Sequence, residues 1–509
     1  MAFWTPSTTI DEAARQRGLR AFAGDGICSQ VRDSLLGGPL LVGYALLLGA
    51  SHVTIGLLAA VGPITQILQL PTVALIEHWR TRKAITWWAA LAGRICLLGV
   101  IAVPWVLPPG LRLPGLFAAL VLSACFGTIS GAAWTPWIRD FLPEESMGRL
   151  FARRLALATG VSAVLGLAAG YAIDALPTVI QPPVAAYGMV FGVGAVAALL
   201  GLLFLARIPE PLMPPQPRRP WIDIFRAPLQ HREFRPVMVF LACWTFAVNL
   251  TAPFFSVYLL QRLGLPMTWV VGLTVLSQAT TALMIRAWGA VADRFHTLTV
   301  LRVSGVGFLL AIATWPFVNL VPSVTVMKAL LVAIHLFAGL TTAGVSLCTS
   351  TVAMRCAPRG EAAAYLATNA LVSGAAAALA PLLAGISAAW LDTQRLTLTL
   401  QWTSSAGVGR ALALRPLDFH GLDFLWLGTV VLGLYAVHRL LALPEGQAGS
   451  EREVIAAMAA EVRLRLQQPM RVLSTVPAIR DVIDFPWTVL YRLVPERRSR
   501  PRTPARAPS

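Results

Sequence analysis

Long apolar runs alternate with short polar or charged turns along this chain, and their spacing sets the architecture. Twelve runs lie at about 25–48, 52–76, 84–107, 113–137, 152–175, 184–206, 236–261, 267–291, 298–320, 324–352, 362–390 and 422–443. Each approaches the roughly 20 residues that an α-helix needs to cross a bilayer. Landmarks recur at a fixed offset: Gly56-Leu57 returns 216 residues later as Gly272-Leu273, and the turn prolines Pro143 and Pro358 are 215 apart. The charged turn Trp288-Gly289-Ala290-Val291-Ala292-Asp293-Arg294-Phe295 likewise has a weaker earlier copy in Ala74 to Lys83, again after a second span. The pattern predicts an all-α polytopic membrane protein with twelve transmembrane helices in two pseudo-symmetric six-helix bundles, 25–206 and 236–443. Between them, 207–235 is a Pro-rich connector, Pro209-Glu210-Pro211 to Pro220, that cannot propagate helix. Residues 1–24 and 444–509 flank the two bundles.

Composition agrees with the pattern: 56% of residues are hydrophobic and 13% charged, too apolar over 509 residues for a soluble core. The formal net charge of +17 sits mainly as arginine in loops beside the spans, where head groups and topology account for it, so nucleic acid is not an expected partner. Alternate loops collect Arg80, Arg82, Lys83, Arg139, Arg149, Arg153, Arg154, Arg218, Arg219, Arg226, Arg232, Arg294, Arg302, Arg355 and Arg359 on the side of both termini, against a few such as Arg112, Arg262 and Lys328 opposite. By the positive-inside rule both termini are cytoplasmic. No short apolar region with a cleavage site precedes the first span, which is expected to serve as the insertion signal. Six cysteines without a CxxC pair support neither a disulfide framework nor a metal site. Neither lysine follows a glycine, which excludes a phosphate loop, and no H-E-x-x-H or G-x-S-x-G is present. No enzymatic activity, ATP use or cofactor is expected.

Ionisable residues inside apolar spans carry the next signal, because hydrocarbon makes an unpaired charge costly. Arg32 and Asp33 fall in the first span and Arg94 in the third. A rise of about 1.5 Å per residue puts Asp33 and Arg94 at similar depth, which permits an ion pair between them. Such a pair is a structural staple with Arg32 left facing a cavity as an anion-binding group, or Asp33 exchanges protons. If the first helix starts later, Arg32 is interfacial instead.

Two six-helix halves, a cytoplasmic connector and a G-x-x-x-D-R turn at Gly289, Asp293 and Arg294 resemble the major facilitator superfamily over about residues 20–445. The first copy of the turn departs from the family pattern, with Val73 for the glycine and Glu77 for the aspartate, but keeps Arg82 and Lys83 at its basic end. The 4–5 connection, Trp134 through Asp140 and Pro143 to Arg153-Arg154, and Asp25-Gly26 resemble a prokaryotic branch of the superfamily. The resemblance implies a secondary transporter in the bacterial inner membrane, expected to be monomeric and coupled to protons, that moves a small organic solute by alternating access. The alternative is a non-transporting relative acting as a scaffold for a membrane complex.

Within that frame, Asp293 is expected to meet Arg149, Arg153 and Arg154, and Glu77 to meet Arg355 and Arg359, since helix N-termini attract carboxylates. With Arg82, Lys83, Asp140, Gly289 and Arg294 these form a cytoplasmic gate, or else ordinary loop ion pairs that fix topology. Cavity-lining helices of the superfamily carry Gln66, Gln69, Trp244, Asn249, Tyr258, Gln278, His335 and Asn369 here, each either a substrate contact or an interhelical packing residue.

Two segments fall outside the bundles. Arg395 to Trp402 alternates with period two, which predicts a short strand before the last span. Ser450-Glu451-Arg452-Glu453 is a capping box that opens an amphipathic helix, and Ile479 to Leu493 followed by the basic Arg497 to Arg506 suggests a tail lying on anionic lipid.

Overall fold

The computed structural model describes residues 6–7, 10–213, 228–232, 234–358, 362–402, 412–440 and 450–473. Ten described helical segments are long and apolar enough to cross a membrane. The first expected span is instead a broken pair, α1 (Glu12–Leu35) and α2 (Gly38–Leu47). The second is α3 (His52–Thr65) continued by α4 (Gln69–Trp79), and α5 (Arg82–Val106), α6 (Pro109–Phe141), α7 (Met147–Ala175) and α8 (Val184–Arg207) complete the first half. The second half holds α9 (Phe234–Thr251) with α10 (Phe254–Val257), α11 (Met267–Arg294), α12 (Thr297–Ala313), α13 (Val324–Cys356) and α14 (Ala362–Leu391). Then follow strands β1 (Arg395–Trp402) and β2 (Leu412–His420) and the last span, α15 (Asp423–Leu440).

Local chemistry explains where these helices begin and break. Asp11 caps α1, its Oδ1 accepting from the Ala14 N–H at 2.8 Å, so the helix starts well before the apolar run. The break after Leu35 falls where Gly38 takes φ +53° and Pro39 follows, a turn that only glycine adopts cheaply. In the second span, Pro63 removes a ladder donor, and a 3₁₀ turn at Gln66–Leu68 separates α3 from α4. The expected strand pairs antiparallel with β2, which the period-two reading missed because Pro416 interrupts it. The exposed side chains are largely apolar, and exposed Trp79 and Trp88 near one end, with Trp105, Tyr171 and Trp390 near the other, suit the two bilayer interfaces.

Within the first half, α1 packs on α7 and α8, and α5 on α6 and α8; within the second, α13 packs on α11 and α12, and α9 on α14 and α15. We call the end of the bundle where the connector runs the linker end, and the end carrying β1 and β2 the hairpin end. Ser450 to Ser509 is a separate unit. In it, α16 (Glu451–Leu473) opens with the expected capping box, the Glu453 N–H donating to Ser450 Oγ and the Ser450 N–H to Glu453 Oε2. The expected helix at 479–493 and the basic end lie outside the described residues.

At the linker end the connector does not leave the first half at once. Glu210 is 4% exposed, and its Oε1 accepts from the Arg82 N–H at 2.7 Å, the first amide of α5. The Arg82 guanidinium, 2% exposed, reaches Glu210, Asp140 and the Pro136 and Pro211 carbonyls. Ser7 bridges to the same stretch, its N–H donating to the Glu210 carbonyl at 3.0 Å. Burial pushes the Glu210 carboxyl above its ordinary value, while the Arg82 and Lys83 backbone N–H groups and the Arg82 charge pull it back. Glu210→Ala should cost about 3–5 kcal/mol, because it leaves Arg82 buried with one carboxylate fewer. Glu210→Gln, which keeps an acceptor, should cost less. Thermal unfolding of the solubilised protein reads this, and an unchanged midpoint in the alanine variant would show that Glu210 does not hold the connector.

Candidate functional site

A cavity of about 500 Å³ lies between the halves, walled by α2 and α3 on one side and by α9 to α14 on the other. Its wall is mostly apolar, with Asn249, Ser256, Ser277, Gln278 and His335 as polar points. Asn249 lines the cavity and spends its Nδ2 on the Thr245 carbonyl at 2.8 Å, one turn back. His335 Nδ1 lies 2.8 Å from the Leu331 carbonyl, and its ring stands edge-on to Trp315 at 5.6 Å. If Nδ1 donates there, Nε2 is an acceptor. An apolar chamber with a few convergent polar groups of this size suits a small organic molecule.

The halves close over this chamber at the hairpin end. Asp174, near the end of α7, accepts from the Met267 and Thr268 N–H groups at 2.8 and 2.7 Å and from the Thr268 hydroxyl, so a carboxylate of one half caps the first turn of α11 in the other. His52, at the start of α3, meets Asp392, just beyond α14, at 2.8 Å. Between these contacts α3 packs along α14 so closely that a Cβ on Gly56 would overlap the Pro381 carbonyl, and one on Gly385 would press on the His52 carbonyl and Val53. Toward the linker end α4 turns instead to α5 and α6 of its own half.

A second cavity, about 590 Å³, lies wholly within the first half, among α1, α5, α6 and α7. Asp25, 4% exposed, pairs with Arg154 at 3.0 Å. The Arg154 guanidinium lies 4.7 and 4.8 Å from the Phe22 and Trp134 rings, a cation-π contact on each, and its Nε donates to the Phe22 carbonyl. Asp33 pairs with its neighbour Arg32 at 2.8 Å rather than with Arg94, which corrects the expected staple. Equal depth on two helices does not fix rotation about either axis, and Asp33 is more than half exposed. Arg94 is 5% exposed, and its Nε and Nη1 have no hydrogen-bond partner. All five charged residues line this one cavity.

Other expectations are redistributed. Trp244 is buried against Phe240 and Phe308, away from the chamber. Tyr258 sits at the hairpin end, its hydroxyl donating to the Trp315 carbonyl at 3.3 Å and its ring against Trp426. Beside it Arg262 and His420 meet at 2.7 Å, and burial together with the Arg262 charge lowers the imidazole's pKa, so a neutral ring accepts that bond. Gln66 and Gln69 are exposed and bond to each other, while Asn369 is half-buried with Oδ1 unpartnered; none of the three lines the chamber. Of the expected gate, Arg154, Arg82 and Asp140 are engaged within the first half and Lys83 is buried there. Glu77, Arg149, Arg153, Asp293, Arg294 and Arg355 are exposed and make none of the described ion pairs, Gly289 has open space at its Cα, and Arg359 lies outside the described residues. The sequence carries no signal for Asp174, His52 and Asp392, since nothing in a one-dimensional pattern pairs residues from different halves, nor for Thr86, a single hydroxyl on the largely apolar α5.

Two bundles of membrane-spanning helices enclosing a chamber between them define a membrane transporter. The family model described as Major Facilitator Superfamily matches residues 26–381, and the chain belongs to that family. Among solved structures, a mutant of the nucleoside transporter NupG has 14% identity and a TM-score of 0.65, covering 85% of this chain and 100% of that one. A bacterial homologue of the iron transporter ferroportin, in an inward-facing state, has 11% identity and a TM-score of 0.62 over 86% and 99%. A D-xylose-proton symporter has 13% identity and a TM-score of 0.59 over 86% and 99%. At these identities the likeness is one of fold. A search of curated proteins gives no match.

The hairpin-end contacts make a mutational expectation. Asp174→Ala removes a cap worth about 1 kcal/mol and should favour separation at that end about fivefold. In a cysteine-free background carrying Ser256→Cys in the chamber wall, labelling by a membrane-impermeant maleimide added on the hairpin side should speed up by that factor. An unaltered rate would mean that Asp174 does not hold the halves together.

Proposed function

We propose that this chain is a secondary active transporter that carries a small organic solute across the bacterial inner membrane by alternating access, coupled to protons and with both termini cytoplasmic. The observation that carries the reading is the chamber between the halves, closed at the hairpin end by Asp174 and by the His52 and Asp392 contact while the linker-end charges stay apart. Such an arrangement suits the half of a rocking cycle in which the solute site faces the cytoplasm. In the other half of the cycle, Asp293 would meet Arg149 and Arg153, and Glu77 would meet Arg355 and Arg359, as the hairpin end parts. Arg154 is excluded from that set by its pairing with Asp25.

Asn249, Gln278 and His335 are the groups best placed to meet a solute, and the apolar wall would take its body. Asp33, exposed on the cavity of the first half and neutralised by Arg32, is the carboxylate best placed to take up and release a proton. The basic tail would rest on anionic head groups, and the transporter would work as a monomer.

The test compares intracellular and extracellular metabolites of cells making the protein, cells lacking it and cells carrying Asp33→Asn at equal membrane abundance. A solute redistributed by the wild type, not by the variant, and not once a protonophore has collapsed the gradient, is the expected result. No redistributed solute under several growth conditions would overturn transport; redistribution that ignores the protonophore would overturn only proton coupling.

A further inference from the structure

The charge count inside the first half does not balance. Its cavity is lined by three guanidinium groups, Arg32, Arg94 and Arg154, but by only two carboxylates, Asp25 and Asp33. Both carboxylates already have partners, Asp25 in Arg154 at 3.0 Å and Asp33 in Arg32 at 2.8 Å. Arg94 is thus the cation left over, and it is the one held deepest, at 5% exposure. Its Nε and Nη1 lack a hydrogen-bond partner, as does the buried Thr86 hydroxyl on the same helix and the same cavity wall. Thr86 and Arg94 are eight residues apart on α5, a little over two turns, and both line this cavity. An unpaired buried cation with unmet donors is costly, so a site shaped like this calls for an acceptor that carries charge.

Resting on the transporter reading above, we infer that the solute is an organic monoanion whose oxyanion is received by Arg94 in the cavity of the first half. One negative charge brings the cluster to neutrality, and a carboxylate or similar oxyanion offers the acceptors that Arg94 lacks. The volume of about 590 Å³ far exceeds what a bare halide needs, and Leu97 and Trp134 on the wall supply apolar surface for a carbon body. Arg154 is fixed by Asp25 and by two aromatic faces, so it shapes the cavity rather than receiving the ligand. The two cavities flank the break between α1 and α2: Gly37 lines this one and Gly38 lines the chamber between the halves.

Thermal unfolding of the solubilised full chain in chloride-free buffer tests this, with sodium acetate, lactate and benzoate as probes, lactamide and benzamide as their uncharged counterparts, and sodium chloride as the inorganic control. At least one carboxylate should raise the midpoint while its amide does not. Arg94→Gln should weaken that carboxylate's apparent affinity about tenfold or more, Thr86→Val should weaken it less, and Arg395→Gln, an exposed hairpin arginine, should leave it unchanged. If Arg94→Gln does not fold, Thr86→Val and Arg94→Lys carry the test. A response to chloride alone, equal responses to acid and amide, no response to any carboxylate, or full response in the Arg94 and Thr86 variants each overturns the inference. Cells that redistribute only neutral solutes would sink it while transport stands; carboxylate binding at Arg94 without any redistributed solute would sink transport and leave the anion site.

Discussion

Charge placed in hydrocarbon must be matched from within the protein, and the first half of this chain is arranged around that demand. Asp25 and Arg154 come from helices 129 residues apart in sequence, and their pairing ties α1 to α7 where the aromatic rings of Phe22 and Trp134 screen the guanidinium. At the linker end Arg82 plays the same part, shared between Asp140 and Glu210. These contacts tie α1 to α7 and the connector to α5 and α6, while a small set of contacts at the hairpin end joins the two halves. A Cβ at Gly26 would collide with the Arg154 side chain, so even a methyl group is excluded from the closest of these approaches.

The division of labour between the two cavities follows from helix discontinuities. The turn at Gly37 and Gly38 lies between the two, with Gly37 on the wall of the inner cavity and Gly38 on the wall of the chamber. The second span is interrupted as well, at Gln66–Leu68, so its hairpin-end segment can follow α14 while its linker-end segment stays with α6. Broken helices beside a central site carry polar backbone only where a cavity or protein accepts it. In the second half Phe255 stacks on Trp426, and both rings pack against Trp315.

Much of the fold was legible in the sequence. The repeat offset, the apolar runs, the family motif at Gly289, Asp293 and Arg294, and the strand at Arg395 all follow from local period and composition. The start of α1 was not, because a helix can run from Asp11 through polar residues as soon as a cap is supplied, and hydropathy marks only its buried part. Facing direction was the larger gap. In a helix that is apolar all round, no periodicity says which side looks inward, so the sequence does not distinguish a chamber-facing Trp244 or Tyr258 from a packed one, nor an Asp33 that meets Arg94 from one that meets Arg32. Of the site, Asn249, Gln278 and His335 line the chamber as read, and Arg32, Asp33 and Arg94 share one cavity, though not in the expected pairing.

The close approach of α3 to α14 at Gly56 and Gly385 bears on how this protein could be studied and how it could drift in evolution. Here the two halves touch backbone to backbone, with no side chain to yield. A single added methyl group at either glycine would therefore push α3 and α14 apart. The two glycines thus set how closely the two halves approach. On the proposed rocking cycle, alanine at either glycine would work against the hairpin-closed form without altering any residue that lines either cavity.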